Sequence, residues 1–448
     1  MNTEKMSHSP LRAAILTLGC RVNQYESRAV GEALAKMGFV LGSGEEICDL
    51  YLINTCAVTA ESDRKSRQLI RRCLKSNPRA VVVAFGCSAQ LHSADYTALD
   101  GLDFVGGSTD KLCAAELGAR LALEGRKNSA PVLVDSSLAL AEAPFDNTLA
   151  ITGFDRTRAY VKIEDGCDAN CAYCIIPAVR GHVRSRPQED ILREIGILAD
   201  GGCAEVVLTG IETSAYRDGL TDLIRACAAI DGIRQIRLGS MDPSALRPAF
   251  ADEVAGIEKF MPHIHVSLQS GCSRTLAAMR RKYNVPTLRR NLTYLRQIIP
   301  GMQFTADVIC GFPGETEADF AETMDFCREI RFYHLHIFPY SRREGTPAAV
   351  MPEQIPEPVK AERAARLDAF QRQIQREIHE ACVRSGQPLR MLPETAKNGL
   401  LYGHSREFFE LAVPGDPSLR GRLVWVMPED CDDTHLYGRV IPDPTHAS

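Results

Sequence analysis

The feature that most limits how this chain can fold is a regular alternation of short apolar runs with helical stretches. Between residues 153 and 380 the apolar runs are 159–163 (AYVKI), 204–208 (AEVVL), 235–238 (QIRL), 263–268 (HIHVSL), 303–309 (QFTADVI) and 334–338 (HLHIF). Stretches of helical periodicity at 187–200, 219–229, 273–281, 286–299 and 317–330 lie between them. Strands joined by helical crossovers pair in parallel. Six βα units in succession predict a full or partial (β/α) barrel, whose chemistry sits on the loops that follow the strands. A shorter version of the pattern opens the chain, with runs at 13–18, 50–54, 80–85 and 103–105 and helices at 24–37, 61–76 and 110–124. It predicts an open parallel sheet covered on both faces. The polar stretch 126–152 reads as a linker. After a charged helix at 357–385, the runs LLYG, FFELAV, LVWVM and LYGRVI are separated by Gly, Pro and Asp, the pattern of a small antiparallel β-barrel. The expected α/β chain thus has an open parallel domain at 10–125, a linker at 126–152, a partial barrel at 153–382 and a small barrel at 383–446.

Composition narrows the function. With 45% hydrophobic and 24% charged residues the chain is neither disordered nor fibrous. The N-terminal MNTEKMSHSPLR lacks the apolar core of a secretory signal, and no apolar run is long enough to span a membrane. The expectation is a cytoplasmic protein with no membrane partner. Thiols stay reduced there, so clustered cysteines point to metal or redox chemistry.

Of the 16 cysteines, three lie in the segment Cys167-Asp-Ala-Asn-Cys171-Ala-Tyr-Cys174, shortly after the first strand of the barrel. Thiolates spaced C-x3-C-x2-C can hold three corners of a [4Fe–4S] cluster from one loop and leave one iron open. A structural zinc site needs four ligands, and the nearest fourth candidate, His182, belongs to a basic run instead. A second set, Cys20, Cys56 and Cys87, follows strands directly in TLGC, INTC and AFGC. In a parallel sheet the carboxyl ends of the strands lie at one edge, so these thiols are expected to converge there. The competing possibility is that they are small buried core residues. Cys48 precedes its strand, and Cys73 and Cys113 fall in helices, which sets them apart.

The C-x3-C-x2-C loop after the first strand of a βα series resembles the radical S-adenosylmethionine superfamily. LTGIETS at 208–214, SLQSGCSRTLAAMRRKY at 267–283 and DVICGFPGETEADF at 307–320 extend the resemblance in order. It implies that Cys167, Cys171 and Cys174 are the catalytic cluster ligands. It also implies that S-adenosylmethionine is held by Tyr173, by Gly210 and Glu212 at a strand end, by Ser267 and Gln269, and by Gly311 and Gly314 of the GFPGE loop. Together with the N-terminal triad and the C-terminal barrel, the whole chain resembles the methylthiotransferases. In that family Cys20, Cys56 and Cys87 would bind an auxiliary [4Fe–4S] cluster carrying the sulfur to be transferred, and the last domain resembles the RNA-gripping TRAM barrel. LGCRVNQYE at 18–26 resembles the branch acting on N6-threonylcarbamoyladenosine beside the tRNA anticodon. That resemblance implies two molecules of S-adenosylmethionine, one to methylate a sulfur and one to give a deoxyadenosyl radical that removes hydrogen from C2 of the base. It further implies an electron donor such as flavodoxin or ferredoxin, and a sulfur source. Other expectations are methylthiolation of isopentenyladenosine or of a ribosomal protein aspartate, or a non-catalytic, metal-stabilised RNA-binding protein.

The net charge of −5 does not favour RNA, so an RNA site has to be local. Residues 61–79 hold seven basic and two acidic side chains, with Arg64, Arg67, Arg71 and Lys75 at helical spacing. Arg274, Arg280, Arg281 and Lys282 form a second group, and Arg180, Arg184 and Arg186 a third. Such groups either contact phosphate or are ordinary solvated surface. Tyr402, Phe408, Phe409 and Trp425 of the last barrel are candidates for base stacking, though core packing suits most of them better.

Overall fold

In a computed structural model, which describes residues 10–134, 140, 143–154 and 157–444, the opening alternation becomes one sheet of six parallel strands. Their spatial order is Val40–Gly42, Arg12–Thr17, Leu50–Thr55, Val81–Gly86, Phe104–Gly106 and Val132–Val134. Leu50–Thr55 and Val81–Gly86 are buried along their whole length, as central strands covered on both faces must be. The chain steps outward from Arg12–Thr17 to one side, then returns to place Leu50–Thr55 on the other. This is a topological switch point, the position where open α/β sheets hold their ligands. The helix Ala60–Ser76 starts on a Thr59 cap that accepts from Ser62 N, and Glu61 and Asp63 suit its first turn. Val132–Val134 lies within the stretch read as a linker and forms an edge strand, pairing with Phe104–Gly106. Part of that stretch, at 135–139 and 141–142, is outside the described residues.

The second run of strands follows as expected, each within a residue or two of its apolar run. Arg158–Lys162, Glu205–Thr209 and Gln235–Leu238 pair in parallel, as do Ser240–Met241, His263–Gln269, Gln303–Cys310 and His334–Pro339. Gly239 separates the two sheets, and a Cβ there would lie 2.8 Å from Thr213 Oγ1. Chain order and parallel pairing make this a partial (β/α) barrel. Helix Glu317–Ile330 opens with a reciprocal cap in which Thr316 and Asp319 each bond the other's backbone.

The last strands, Leu389–Lys397, Leu400–Ser405, Glu410–Pro414, Val424–Cys431 and Leu436–Ile441, close into a five-stranded barrel. All neighbours are antiparallel except Glu410–Pro414 and Leu436–Ile441, whose parallel pairing joins the barrel. Met391, Leu401, Leu411, Val413, Val426 and Leu436 fill it. The charged helix Glu357–Ser385 leads into it, and its His379 lies 2.9 Å from the Tyr333 hydroxyl, which accepts from Glu410 N.

By compactness the chain forms two units. The first is the N-terminal sheet domain to Thr152 together with Asp165–Ala169 and Cys174–Arg184; the second is the remainder, including both barrels. The sequence-based boundary at 153 therefore misses two short pieces that pack with the first unit. Among the described residues, no helix is long and apolar enough to cross a membrane.

Candidate functional site

In the first unit the three strand-end cysteines come together. Cys20 caps the helix Arg21–Lys36 and Cys87 begins the helix Cys87–Leu91. Gly19 and Gly86, just before them, sit at φ of +97° and +102°. At Gly19 a Cβ would lie 2.8 Å from Cys56 Sγ, and at Gly86 one would lie 2.6 Å from Asn54 Oδ1. Only glycine lets the backbone turn this closely. Burial pushes the thiols of Cys20 and Cys56 up, Cys56 to about 11; Arg180 pulls Cys20 back in part, while Cys87 pushes both further and Cys20 adds to the rise at Cys56. Thiols so placed lose their protons to a metal rather than to water.

Beneath them is a buried charge network. Arg180, fully buried, donates from Nε to Cys87 Sγ at 3.3 Å. Its other nitrogens reach Glu26 at 2.9 Å, Asp165 at 3.0 Å and Asn23 at 2.7 Å. Lys111, also fully buried, pairs with Glu26 and reaches Asn23 and Asn54 at 3.2 Å. Burial opposes the charge on Arg180, but Asp165, Cys87 and Glu26 outweigh it and hold the guanidinium protonated. At Lys111 burial prevails over Glu26 and lowers the ammonium pKa. Ala57, Cys87, Ile175 and Val179 form an apolar cluster over the network.

Cys167 and Cys174 belong to this unit, whereas Cys171 belongs to the second. Each sulfur accepts an N–H: Cys167 from Ala169 N at 3.4 Å, Cys174 from Ile176 N at 3.4 Å, and Cys171 from Arg281 Nη1 at 3.2 Å. Such donors stabilise thiolate ligands and set the potential of an iron–sulfur cluster. All six cysteines are free thiols, so the donor sets fit cluster ligation. His182 is exposed and lies 2.7 Å from Asp168.

In the second unit the residues expected to hold S-adenosylmethionine share a neighbourhood. Tyr173 packs with Ala172, Met279, Phe312 and Tyr340. Arg281 spans from Cys171 to Asp242 Oδ2 at 2.6 Å and to the Ser267 carbonyl at 3.0 Å. Glu212 accepts from Asp242 N at 3.1 Å and from Ser214, and burial pushes its carboxyl up to about 7. At Gly210 a Cβ would meet Glu164 Oε2 at 2.5 Å, and that same oxygen accepts from Glu212 N at 2.8 Å. Gln269 takes a left-handed φ of +62° after a register break in its strand. Gly311 N donates to Glu315 Oε2 at 3.0 Å, and Arg363 anchors Glu315 from 2.9 Å. The Gly314 carbonyl accepts from Arg274 at 2.7 Å.

The structure corrects part of the charge analysis. Arg180, Arg184 and Arg186 are no phosphate patch: Arg184 is 3.5 Å from Asp165 with its side chain only 10% exposed, and the buried Arg186 is 2.7 Å from Glu194. Arg281 is likewise buried on Asp242. Counting basic residues could not separate these from surface arginines, because their carboxylate partners lie elsewhere in sequence. In the Ala60–Ser76 helix Arg71 and Lys75 are exposed, while Arg64 and Arg67 pair with Glu61 and Asp63. Phe409 is a core residue, and Phe408 stacks on His263 at 4.2 Å. Sequence reasoning missed the part played by Glu26, which was read only as the end of LGCRVNQYE, and missed Lys111 and Asp242, which no motif marks.

Similarity to known proteins matches this geometry. Residues 161–327 match the radical SAM superfamily, and residues 12–107 match a family described as uncharacterized protein family UPF0004. The chain is 36% identical to the threonylcarbamoyladenosine tRNA methylthiotransferase MtaB of Bacillus subtilis, over 92% of each chain. It is 33% identical to the tRNA-2-methylthio-N(6)-dimethylallyladenosine synthase of Pelotomaculum thermopropionicum, over 95% of this chain and 96% of that one. In fold it is similar to the radical S-adenosylmethionine methyltransferase TsrM of Kitasatospora setae, with a TM-score of 0.55 and 15% identity over 88% of this chain and 81% of that one. A strand-end cysteine triad, a partial barrel with a three-cysteine loop and relatives matching nearly end to end lead to one assignment: the chain belongs to the radical SAM methylthiotransferases.

Proposed function

We propose that this enzyme methylthiolates C2 of N6-threonylcarbamoyladenosine next to the anticodon of tRNA, using two [4Fe–4S] clusters and two molecules of S-adenosylmethionine. The observation that carries this reading is the 36% identity over 92% of both chains to a relative named for that substrate. Relatives from Aquifex aeolicus and Rickettsia prowazekii, 36% and 35% identical, carry the same name.

In this reading Cys167, Cys171 and Cys174 hold the radical-generating cluster, and Cys20, Cys56 and Cys87 hold the auxiliary one. Bound there, the clusters with S-adenosylmethionine supply an electron and a carbon radical able to break a C–H bond that has no acidity for a side-chain base to exploit. The protein's part is binding, orientation and electrostatics. Arg281 holds Cys171 and Asp242 in fixed relation to Glu212, the buried carboxyl proposed to receive the methionine amino group. Tyr173 and Phe312 offer aromatic surface for the adenine. Arg180 sets positive charge beside Cys87, which would offset the negative charge of a cluster held there. The C-terminal barrel and the exposed Arg71 and Lys75 are the proposed RNA contacts, with an electron donor and a sulfur source as further partners.

Nucleoside analysis of tRNA from a strain lacking the gene tests the substrate. Loss of the 2-methylthio form of threonylcarbamoyladenosine, with its unthiolated precursor accumulating, is the expected result. Loss of 2-methylthio-dimethylallyladenosine instead would transfer the enzyme to the other branch.

A further inference from the structure

Three neighbouring strands of the partial barrel carry a polar cluster apart from the residues proposed to bind the cofactor. The strands His263–Gln269, Gln303–Cys310 and His334–Pro339 run in parallel, with His265 opposite Thr305 and Asp307 opposite His336. Alternation puts Ile264 and Val266, fully buried, on one face, and His263, His265 and Ser267 on the other. The polar face is the concave one: His263 stacks on Phe408, the ring that Arg237 of a separate strand also covers at 5.0 Å.

At the centre is Asp307, whose Oδ1 lies 3.1 Å from His265 Nε2 and 3.4 Å from His336 Nδ1. His265 is held at its other end too, with Nδ1 2.8 Å from Thr305 Oγ1, which is itself 3.0 Å from His263 Nε2. His336 is held at one end only. Its side chain is 45% exposed, and its Nε2 has no partner among the described residues. The rings of His265 and His334, each 5.0 Å away, flank it. The result is an imidazole braced from behind by a carboxylate, with its free nitrogen open to the concave face. Ser267, proposed to contact the cofactor, is two residues along the strand from His265 and therefore about 7 Å away.

We propose that His336, braced by Asp307, determines specificity by hydrogen-bonding the polar substituent on N6 of the target adenosine. This rests on the tRNA reading above. A threonylcarbamoyl group carries a carboxylate, a hydroxyl and a ureido group, which can replace the water lost from His336 and Asp307. A dimethylallyl group would strip that water and return no hydrogen bond. A site built to bond a polar group rejects the analogue lacking it far more strongly than an apolar pocket rejects a misfit. Asp307 is a positioning residue here, and His336 makes the contact.

The test is equilibrium binding of the anaerobic holoenzyme to anticodon stem-loop RNAs whose target adenosine is unmodified, threonylcarbamoylated or dimethylallylated, read by fluorescence anisotropy. Wild type is expected to favour the threonylcarbamoyl RNA about tenfold or more. His336→Phe is expected to bring the ratio of the two modified RNAs to near one, with circular dichroism and iron content as controls for folding. His336→Gln, whose amide can still hydrogen-bond the substituent, is expected to restore part of it. A wild-type ratio in a folded His336→Phe protein overturns the proposal while leaving the substrate reading intact. A wild-type preference for the dimethylallyl RNA overturns both. One equivalent of zinc beyond the cluster iron, lost in Asp307→Asn, would assign the three side chains to a metal and also overturn it.

Discussion

Glu212 shows how one buried side chain makes the stability of a fold depend on pH. Its carboxyl is raised to about 7, first by burial, against an ordinary value of 4.5. The folded protein therefore keeps this proton over a pH range in which the unfolded chain has released it. Stability from this group is present below the unfolded value and is lost as pH rises toward 7, by up to about 3 kcal/mol. In the cluster-free protein, Glu212→Gln is expected to remove that slope, so the urea midpoints of variant and wild type diverge between pH 5 and 8. Parallel curves would contradict it. Glu212 was legible in sequence because it stands in a strand-end motif. Asp242 and Arg281, which hold it, were not: Arg281 sits within a basic run, and the contact that removes it from that run comes from 39 residues away.

At the scale of elements, the strands and helices were legible because each hydrophobic period matches one buried face. Boundaries agree to within a residue or two for the barrel strands and for the helices Glu317–Ile330 and Glu357–Ser385. The short edge strands Val40–Gly42 and Val132–Val134 were not legible, since three residues paired on one side carry little apolar signal. Nor was the place of Ile176–Arg180, whose five residues pack into the N-terminal unit through Arg180 and Val179. The Arg180→Met substitution is expected to cost about 3–5 kcal/mol in the cluster-free protein, because it removes the guanidinium shared by two buried carboxylates and leaves Glu26 to Lys111 and Asp165 to the more distant Arg184. Thermal unfolding checks this, and a loss below about 1 kcal/mol would mean that Lys111 and solvent satisfy both carboxylates.

At the scale of the whole molecule, the convergence of Cys20, Cys56 and Cys87 was readable from position, because strand ends in a parallel sheet share an edge, whereas Cys167, Cys171 and Cys174 were marked by their spacing on one loop. Switch-point topology adds a physical reason for the first triad, since Cys20 and Cys56 follow the two strands that flank the reversal. The proposed RNA contacts were less legible, since one of the three expected basic groups is held in ion pairs. The two triads are proposed to do different jobs, and the most direct test is to remove only one. In a protein with Cys20, Cys56 and Cys87 all changed to Ala, reconstituted anaerobically, iron and sulfide should fall by about half. Reduction with S-adenosylmethionine should still yield deoxyadenosine, while no methylthiolated nucleoside forms on tRNA. Full methylthiolation by that variant would contradict the two-cluster assignment.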